Sequence, residues 1–219
     1  MYYALDLWFY KSIRPKCKGN AFMIRYADDH VACFKYKQEA EDYYKELKER
    51  LKKFNLELAE EKTKILPFGM RAYEEYRSTR KGKPSTFDFL GFTHYCSRSR
   101  KGKFRVKRKT SKKKFQASIK RVKEWIRNNR ILPIKEIMDI LRRKLNGYYQ
   151  YYGITDNAAM NYKFHYEVRY LLFKWLNRRS QRLSFTWPRF TEMMKRWRIP
   201  EPCIHVNIFR LREDICYYL

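Results

Sequence analysis

Two adjacent carboxylates, Asp28 and Asp29, stand in Tyr26-Ala27-Asp28-Asp29 between Ala21–Arg25 and His30–Phe34, two apolar runs that read as strands. Like charges side by side next to a core must stay solvated or be neutralised by a cation. Such a pair at a strand-to-strand turn asks for a metal ion, and hard divalent ions take carboxylate ligands. The plainer reading is a solvent-exposed Asp-Asp hairpin, and the rest of the chain has to decide between the two. Its formal charge of +28 points to a polyanion, RNA or DNA, as the partner of that metal chemistry.

The elements that position the pair alternate strand and helix over the first hundred residues. Phe22, Ile24 and Tyr26 share one strand face by period two. From Gln38 to Phe54, Ala40, Tyr43, Leu47, Leu51 and Phe54 recur at helical spacing. Thr63–Leu66 reads as a short strand ended by Pro67, and 71–84 as a polar loop. A second hairpin is expected from Phe87–Tyr95 and Phe104–Lys107, turned around Ser99–Gly102.

Beyond residue 100 the signals become helical and basic. Between Arg98 and Arg130 stand 16 lysines and arginines against one acid, Glu124. Phe115, Ile119, Val122 and Ile126 give that segment an inward face, so the charges form a ridge on a packed body. Further helices are expected from Pro133 through Tyr148, from Asp156-Asn157 to Arg178-Arg179, and over Pro188–Trp197. Cys203–Phe209 reads as a strand. Lys112, Lys113, Lys114, Arg121, Arg178 and Arg179 are candidates for phosphate contacts, which position RNA without reading its sequence. Of Tyr148, Tyr149, Tyr151 and Tyr152, partly core by spacing, at most one or two are free to stack on bases.

Composition narrows the classes. With 44% apolar residues in 219, the chain can bury a core. No apolar run is long enough to span a bilayer and no signal-peptide pattern opens the chain, so an intracellular, cytoplasmic protein without a membrane partner is expected. Five cysteines, Cys17, Cys33, Cys96, Cys203 and Cys216, are too scattered for a disulfide framework or a zinc site. The four histidines are equally scattered. Only His30, directly after the acid pair, keeps a modest electrostatic role open.

The order of motifs resembles one family. Tyr26-Ala-Asp-Asp29 resembles the catalytic motif of reverse transcriptases. Leu56-Glu-Leu-Ala-Glu-Glu-Lys-Thr63 is similar to the next palm motif, and Phe89-Leu-Gly-Phe92 to the primer-grip hairpin. Leu145-Asn-Gly-Tyr-Tyr-Gln-Tyr-Tyr-Gly153 and Trp175-Leu-Asn-Arg-Arg179 resemble the maturase-specific region, domain X, of group II intron reverse transcriptases. Tyr148 stands where the family commonly has tryptophan.

The resemblance implies an α+β fold: a partial polymerase palm of antiparallel hairpins with a helix over 1–100, an all-helical thumb or maturase domain over 101–183, and a C-terminal extension over 184–219. It implies an RNA-directed DNA polymerase that binds group II intron RNA, a DNA primer or RNA–DNA duplex, and dNTP. Asp28 and Asp29 would be catalytic ligands of Mg²⁺, and Lys62 a charge-neutralising or proton-donating group at the triphosphate. Tyr26 would stand by the primer terminus, with Phe89, Leu90, Gly91 and Phe92 supporting the primer. Family members carry fingers and another palm strand with a further aspartate upstream of the hairpin. The chain therefore reads as a C-terminal half, with weak Mg²⁺ binding by itself, its missing N-terminal half a further partner, and Tyr3–Phe9 as the segment just before the hairpin. Asp6 is not that further ligand. The alternative is a non-catalytic RNA-binding maturase remnant that assists intron splicing. A general basic RNA chaperone is a third reading.

Overall fold

In a computed structural model, residues 1–79, 84–179 and 185–210 are described, and they divide into two compact units, 1–79 and 84–89 with 96–105, and 90–95 with 106–179 and 185–210. Each unit is built around its own apolar cluster.

In the first unit an N-terminal helical segment, with π-helical turns over Tyr2–Asp6 and Phe9–Ile13, inserts Leu5, Phe9 and Ile13 into the core. The antiparallel strands β1 (Phe22–Tyr26) and β2 (Asp29–Cys33) follow, with Tyr26 opposite Asp29 and Met23 opposite Ala32. Helix α1 (Lys37–Lys52) closes the unit with Tyr43, Leu47 and Leu51. Glu39 in its first turn and Arg50 and Lys52 in its last complement the helix dipole. Phe22, Ile24 and Tyr26 do share a face, but it is the outer one: they are 53%, 64% and 65% exposed, while Ala21 and Met23 are buried. The helical segment and α1 occupy the other side of the hairpin, so the smaller apolar set faces the core.

Two expectations for the following stretch are corrected. Thr63–Leu66 forms no strand, because the amides of Lys62 and Thr63 turn back onto the Ala59 carbonyl at 3.0 Å and Pro67 has no amide to give a neighbour. Residues 71–79 of the expected 71–84 loop belong to helix α2 (Met70–Thr79). Its inner face is only half-buried Ala72, Tyr73 and Tyr76, with Tyr73 against Phe104 at 5.8 Å, so the apolar stripe is too thin to show in a polar sequence.

The run Phe87–Tyr95 is not one strand. Leu90 (φ 49°) and Gly91 (φ 78°) break it into a two-residue hairpin turn between β3 (Thr86–Phe89) and β4 (Phe92–Arg98), and β5 (Phe104–Thr110) completes a sheet in the order β3-β4-β5. Two positive φ values in succession match the right-handed twist of the strands they join.

The second unit is helical. The helices are α3 (Lys112–Asn129), α4 (Ile134–Tyr152), α5 (Ala158–Leu176) and α6 (Trp187–Arg196). They bury Ile126, Met138, Leu141, Leu145, Tyr149, Leu172, Leu176 and Phe190 in one cluster. Pro133 precedes α4 as its N-cap, and Pro188 sits in the first turn of α6, where a missing amide costs no helical bond. The segment 203–209 forms one parallel bridge, Val206 with Ile154, rather than the expected strand. A buried polar knot ties the end of β5 to α5. Asn157 accepts from the Thr110 amide at 2.7 Å and donates to the Thr110 hydroxyl and the Tyr152 carbonyl, each at 2.9 Å, while Asn161 donates to the same carbonyl at 2.9 Å. Among the described residues no helix is long and apolar enough to cross a membrane.

Candidate active site and nucleic-acid interface

The acid pair lies at the tip of the β1–β2 hairpin. Tyr26, Ala27, Asp28 and Asp29 are all exposed, and Ala27 holds the left-handed conformation at φ 56°. A non-glycine residue there costs about 1 kcal/mol and persists only where its surroundings hold it. Arg25 does the holding. Alternation along β1 turns it to the same side as buried Met23, where a guanidinium needs a counter-ion. Its Nε donates to Asp6 Oδ1 at 2.6 Å, one terminal nitrogen donates to the other Asp6 oxygen, and the second donates to the Ala27 carbonyl at 2.7 Å. Asp6 is 4% exposed, so its carboxylate is committed to this pair.

This brace is the part of the site that sequence reasoning missed. The sequence offers only a lone acid in an apolar N-terminal run and an arginine within a strand; that Arg25 lies on the inward side is shown by the burial of Met23. His30, paired with Arg25 in the register, lies within 3.3 Å of the Tyr43 hydroxyl, and burial pushes its pKa down.

Lys62 is exposed on a turn of the same unit, and among the described residues no ion pair joins it to Asp28 or Asp29. Phe89 ends β3 half-buried. As to a metal, Asp28 and Asp29 offer solvated, hard oxygen donors of the type Mg²⁺ prefers. They amount to a partial shell: among the described residues no group of three or more His, Cys, Asp or Glu side chains is gathered to hold an ion.

In the second unit the Leu90-Gly91-Phe92 turn is brought against residues far along the chain. The Tyr151 hydroxyl donates to the Leu90 carbonyl at 2.8 Å, and the Ser111 amide donates to the Gly91 carbonyl at 2.9 Å. Phe92 stacks on Tyr151 at 5.9 Å and meets Tyr152 edge-on at 5.4 Å. A Cβ on Gly91 would come within 3.3 Å of the Tyr152 hydroxyl and 3.8 Å of the Lys114 side chain. Of the four clustered tyrosines, Tyr149 and Tyr152 are buried and Tyr148 stacks on Phe164 at 3.6 Å, which leaves Tyr151, 56% exposed, at the surface.

The cationic candidates differ in what else they do. Lys112, Lys113 and Lys114 are exposed in the first turn of α3, capped by Ser111, whose hydroxyl accepts from the Lys114 amide at 3.4 Å. Three cations at the positive end of a helix dipole are locally unfavourable, and an anion placed there relieves them. Arg121 is exposed, with a 3.3 Å bond to Ser118. Arg178 is exposed over the Trp175 ring at 5.5 Å. Arg179 instead turns inward, donating to the carbonyls of Ile131 (3.2 Å) and Leu132 (2.6 Å) after α3.

Family comparison matches these same two regions, in the same order. Residues 7–94 match the reverse transcriptase (RNA-dependent DNA polymerase) family, and residues 112–197 match the group II intron maturase-specific domain. The chain belongs to the group II intron reverse transcriptase and maturase family. The acid pair and the Leu90–Phe92 turn fall in the reverse transcriptase match, and Lys112–Lys114, Arg121, Arg178, Arg179 and the tyrosines of 148–152 in the maturase match. Together the two domains imply binding of nucleic acid, intron RNA, and in general a divalent metal. Comparison with curated proteins gave no match.

Proposed function

We propose that the chain serves as the palm and thumb portion of an RNA-directed DNA polymerase that copies group II intron RNA. Asp28 and Asp29 hold Mg²⁺ in this reading. The ion, when bound, stabilises the attacking and leaving oxygens of phosphoryl transfer. The protein's own share is placement. Arg25, tied to Asp6, fixes the Ala27 carbonyl and with it the angle at which both carboxylates leave the hairpin. Tyr26 borders the primer end, Phe89–Phe92 carry the primer strand, and Lys62 neutralises the triphosphate. Lys112, Lys113, Lys114, Arg121 and Arg178 engage RNA phosphates; Arg179 acts through the α3–α4 connection it braces. The division into palm over 1–100, thumb and domain X over 101–183 and an extension over 184–219 belongs to the same reading.

The observation that carries it is the pair of solvated carboxylates on a strained, braced hairpin tip inside the reverse transcriptase match. The remaining metal ligands come from a further palm strand, in the same polypeptide or in another chain. The outward apolar face of β1, Phe22, Ile24 and Tyr26, is a surface that such a strand would cover.

Primer extension on an RNA template tests this, with Mg²⁺ and with an upstream palm half added in trans. Extension that depends on Mg²⁺ and is lost in Asp28→Ala is the expected result, and extension insensitive to that substitution refutes the assignment. One observation favours a second reading, a maturase that binds intron RNA without polymerising: Asp6 is spent on Arg25, which leaves two carboxylates at the tip. It requires intron splicing support that persists in Asp28→Ala and fails when Lys112–Lys114 are neutralised.

A further inference from the structure

Helix α5 carries aromatic rings on the side that the core does not use. Tyr162, Tyr166 and Tyr170 recur every four residues, so they rise along one side of the helix in steps of about 6 Å. They are 58%, 66% and 46% exposed, whereas Asn161, Phe164, Val168 and Leu172 on the opposite side are buried. At the C-terminal end Phe173 stacks on Trp187 at 4.0 Å and 12°, and Trp187 is itself 43% exposed. The open side of α5 is thus a track of flat rings running from Tyr162 to Trp187. A helix that is apolar inside and aromatic outside is one that is covered on both sides when it works.

Charge selects the cover. Lys163 stands exposed beside the rings, Arg169 and Lys174 are half-buried along their edges, and Glu167 is the acid among them, in a chain of net charge +28. Arg169 makes a 3.4 Å bond to Thr191, and Lys163 lies 5.7 Å from the Phe115 ring, so both cations are held near the helix. Tyrosines offer π-faces to bases that have left a duplex, which aliphatic residues cannot, and lysines and arginines beside them take the phosphates.

We propose that the Tyr162–Tyr166–Tyr170 track is a binding site for single-stranded RNA, with unpaired bases stacked on the rings and the backbone drawn along Lys163, Arg169 and Lys174. The inference rests on the reading of the chain as an RNA-binding protein and adds the place and the strandedness of the RNA. It is separate from the basic ridge of α3, where contact is to phosphate.

The test is fluorescence anisotropy with a labelled short oligouridylate and with a blunt RNA duplex, over a series of salt concentrations. Changing all three tyrosines to leucine keeps apolar area but removes the stacking faces, and is expected to weaken oligouridylate binding at least about tenfold. The slope of log affinity against log salt stays as in the wild type, because the cations that neutralise phosphate are all retained. The corresponding phenylalanine variant retains affinity, and duplex binding is unchanged in both. The single change Tyr166→Leu, at the most exposed of the three, answers the same question with a smaller loss should the triple variant not fold. Leucine variants that bind oligouridylate as tightly as the wild type overturn the site. So does a leucine variant that keeps its RNA affinity but loses self-association in sedimentation, since the track would then be a protein interface. Wild-type protein that binds neither RNA would instead defeat the broader RNA-binding reading.

Discussion

At the scale of single residues, the tip of the candidate active site depends on an ion pair that lies behind it. Arg25 and Asp6 are both poorly exposed, with 23% and 6% of their side chains accessible. Removing one member of such a pair leaves the other buried without compensation, a loss of about 3 kcal/mol or more. Arg25→Met is therefore expected to lower stability by about that amount in chemical denaturation, and also to free the Ala27 carbonyl. The distinguishing readout is metal affinity at the tip, which falls further in Arg25→Met than in an equally destabilising core change such as Leu47→Ala.

Titration gives a second test at this scale. Burial pushes both His30 and His165 below the ordinary 6.5, in His165 despite Glu201 at 3.4 Å, and each ring is within 3.3 Å of a tyrosine hydroxyl. As pH falls through about 6.5 the unfolded chain protonates both rings before the folded chain does, so unfolding takes up protons there. Their contribution is fully present above about pH 6.5 and is lost as pH falls through the lower folded values. Unfolding midpoints measured from pH 7.5 to 5 should decline, and less steeply in His165→Gln. A flat profile contradicts the buried neutral assignment. The acid pair was visible in the sequence because charge adjacent to charge is a local feature. The brace was not, since Arg25 and Asp6 are joined only when β1 packs against the N-terminal helical segment.

At the scale of elements, the Leu90–Gly91 turn and helix α4 behave as one piece. Gly91 combines a φ of 78° with a Tyr152 hydroxyl 3.3 Å from where a Cβ would be. Gly91→Ala is strained by backbone and neighbour together and is expected to destabilise the second unit by about 1–3 kcal/mol, read as a lower melting temperature. Tyr151→Phe removes only the bond to the Leu90 carbonyl. If the turn supports a primer, that variant raises KM for primer-template more than it lowers kcat, with little change in melting temperature. Equal change in both would assign Tyr151 to the fold alone. The glycine in Phe89-Leu-Gly-Phe92 was legible as a special position, but the break it makes was not. Leucine disfavours the left-handed region, and its φ of 49° is held by Tyr151 and Ser111, residues that only the tertiary structure brings to it. Helix α2 escaped for the opposite reason. Its inner face, Ala72, Tyr73 and Tyr76, is short and only half-buried, so it is easily lost in a polar stretch.

At the scale of the whole molecule, charge sets what the chain meets. Neutralising Lys112, Lys113 and Lys114 to glutamine is expected to weaken RNA binding uniformly across sequences. The slope of log affinity on log salt drops by about 0.7 to 0.9 for every phosphate that is no longer neutralised. An unchanged slope would place those lysines outside the RNA path. Fold class, the order of a palm-like region before a helical basic one, and the acid pair were all readable in the linear chain, because hydrophobic period, charge density and neighbouring residue types are properties of sequence. Which face of β1 lies inward, which tyrosine of Tyr148–Tyr152 reaches the surface and which arginine is already engaged were decided by packing. Those outcomes turn on which partners arrive from distant parts of the chain, and period alone assigns a residue to a face without saying what covers it.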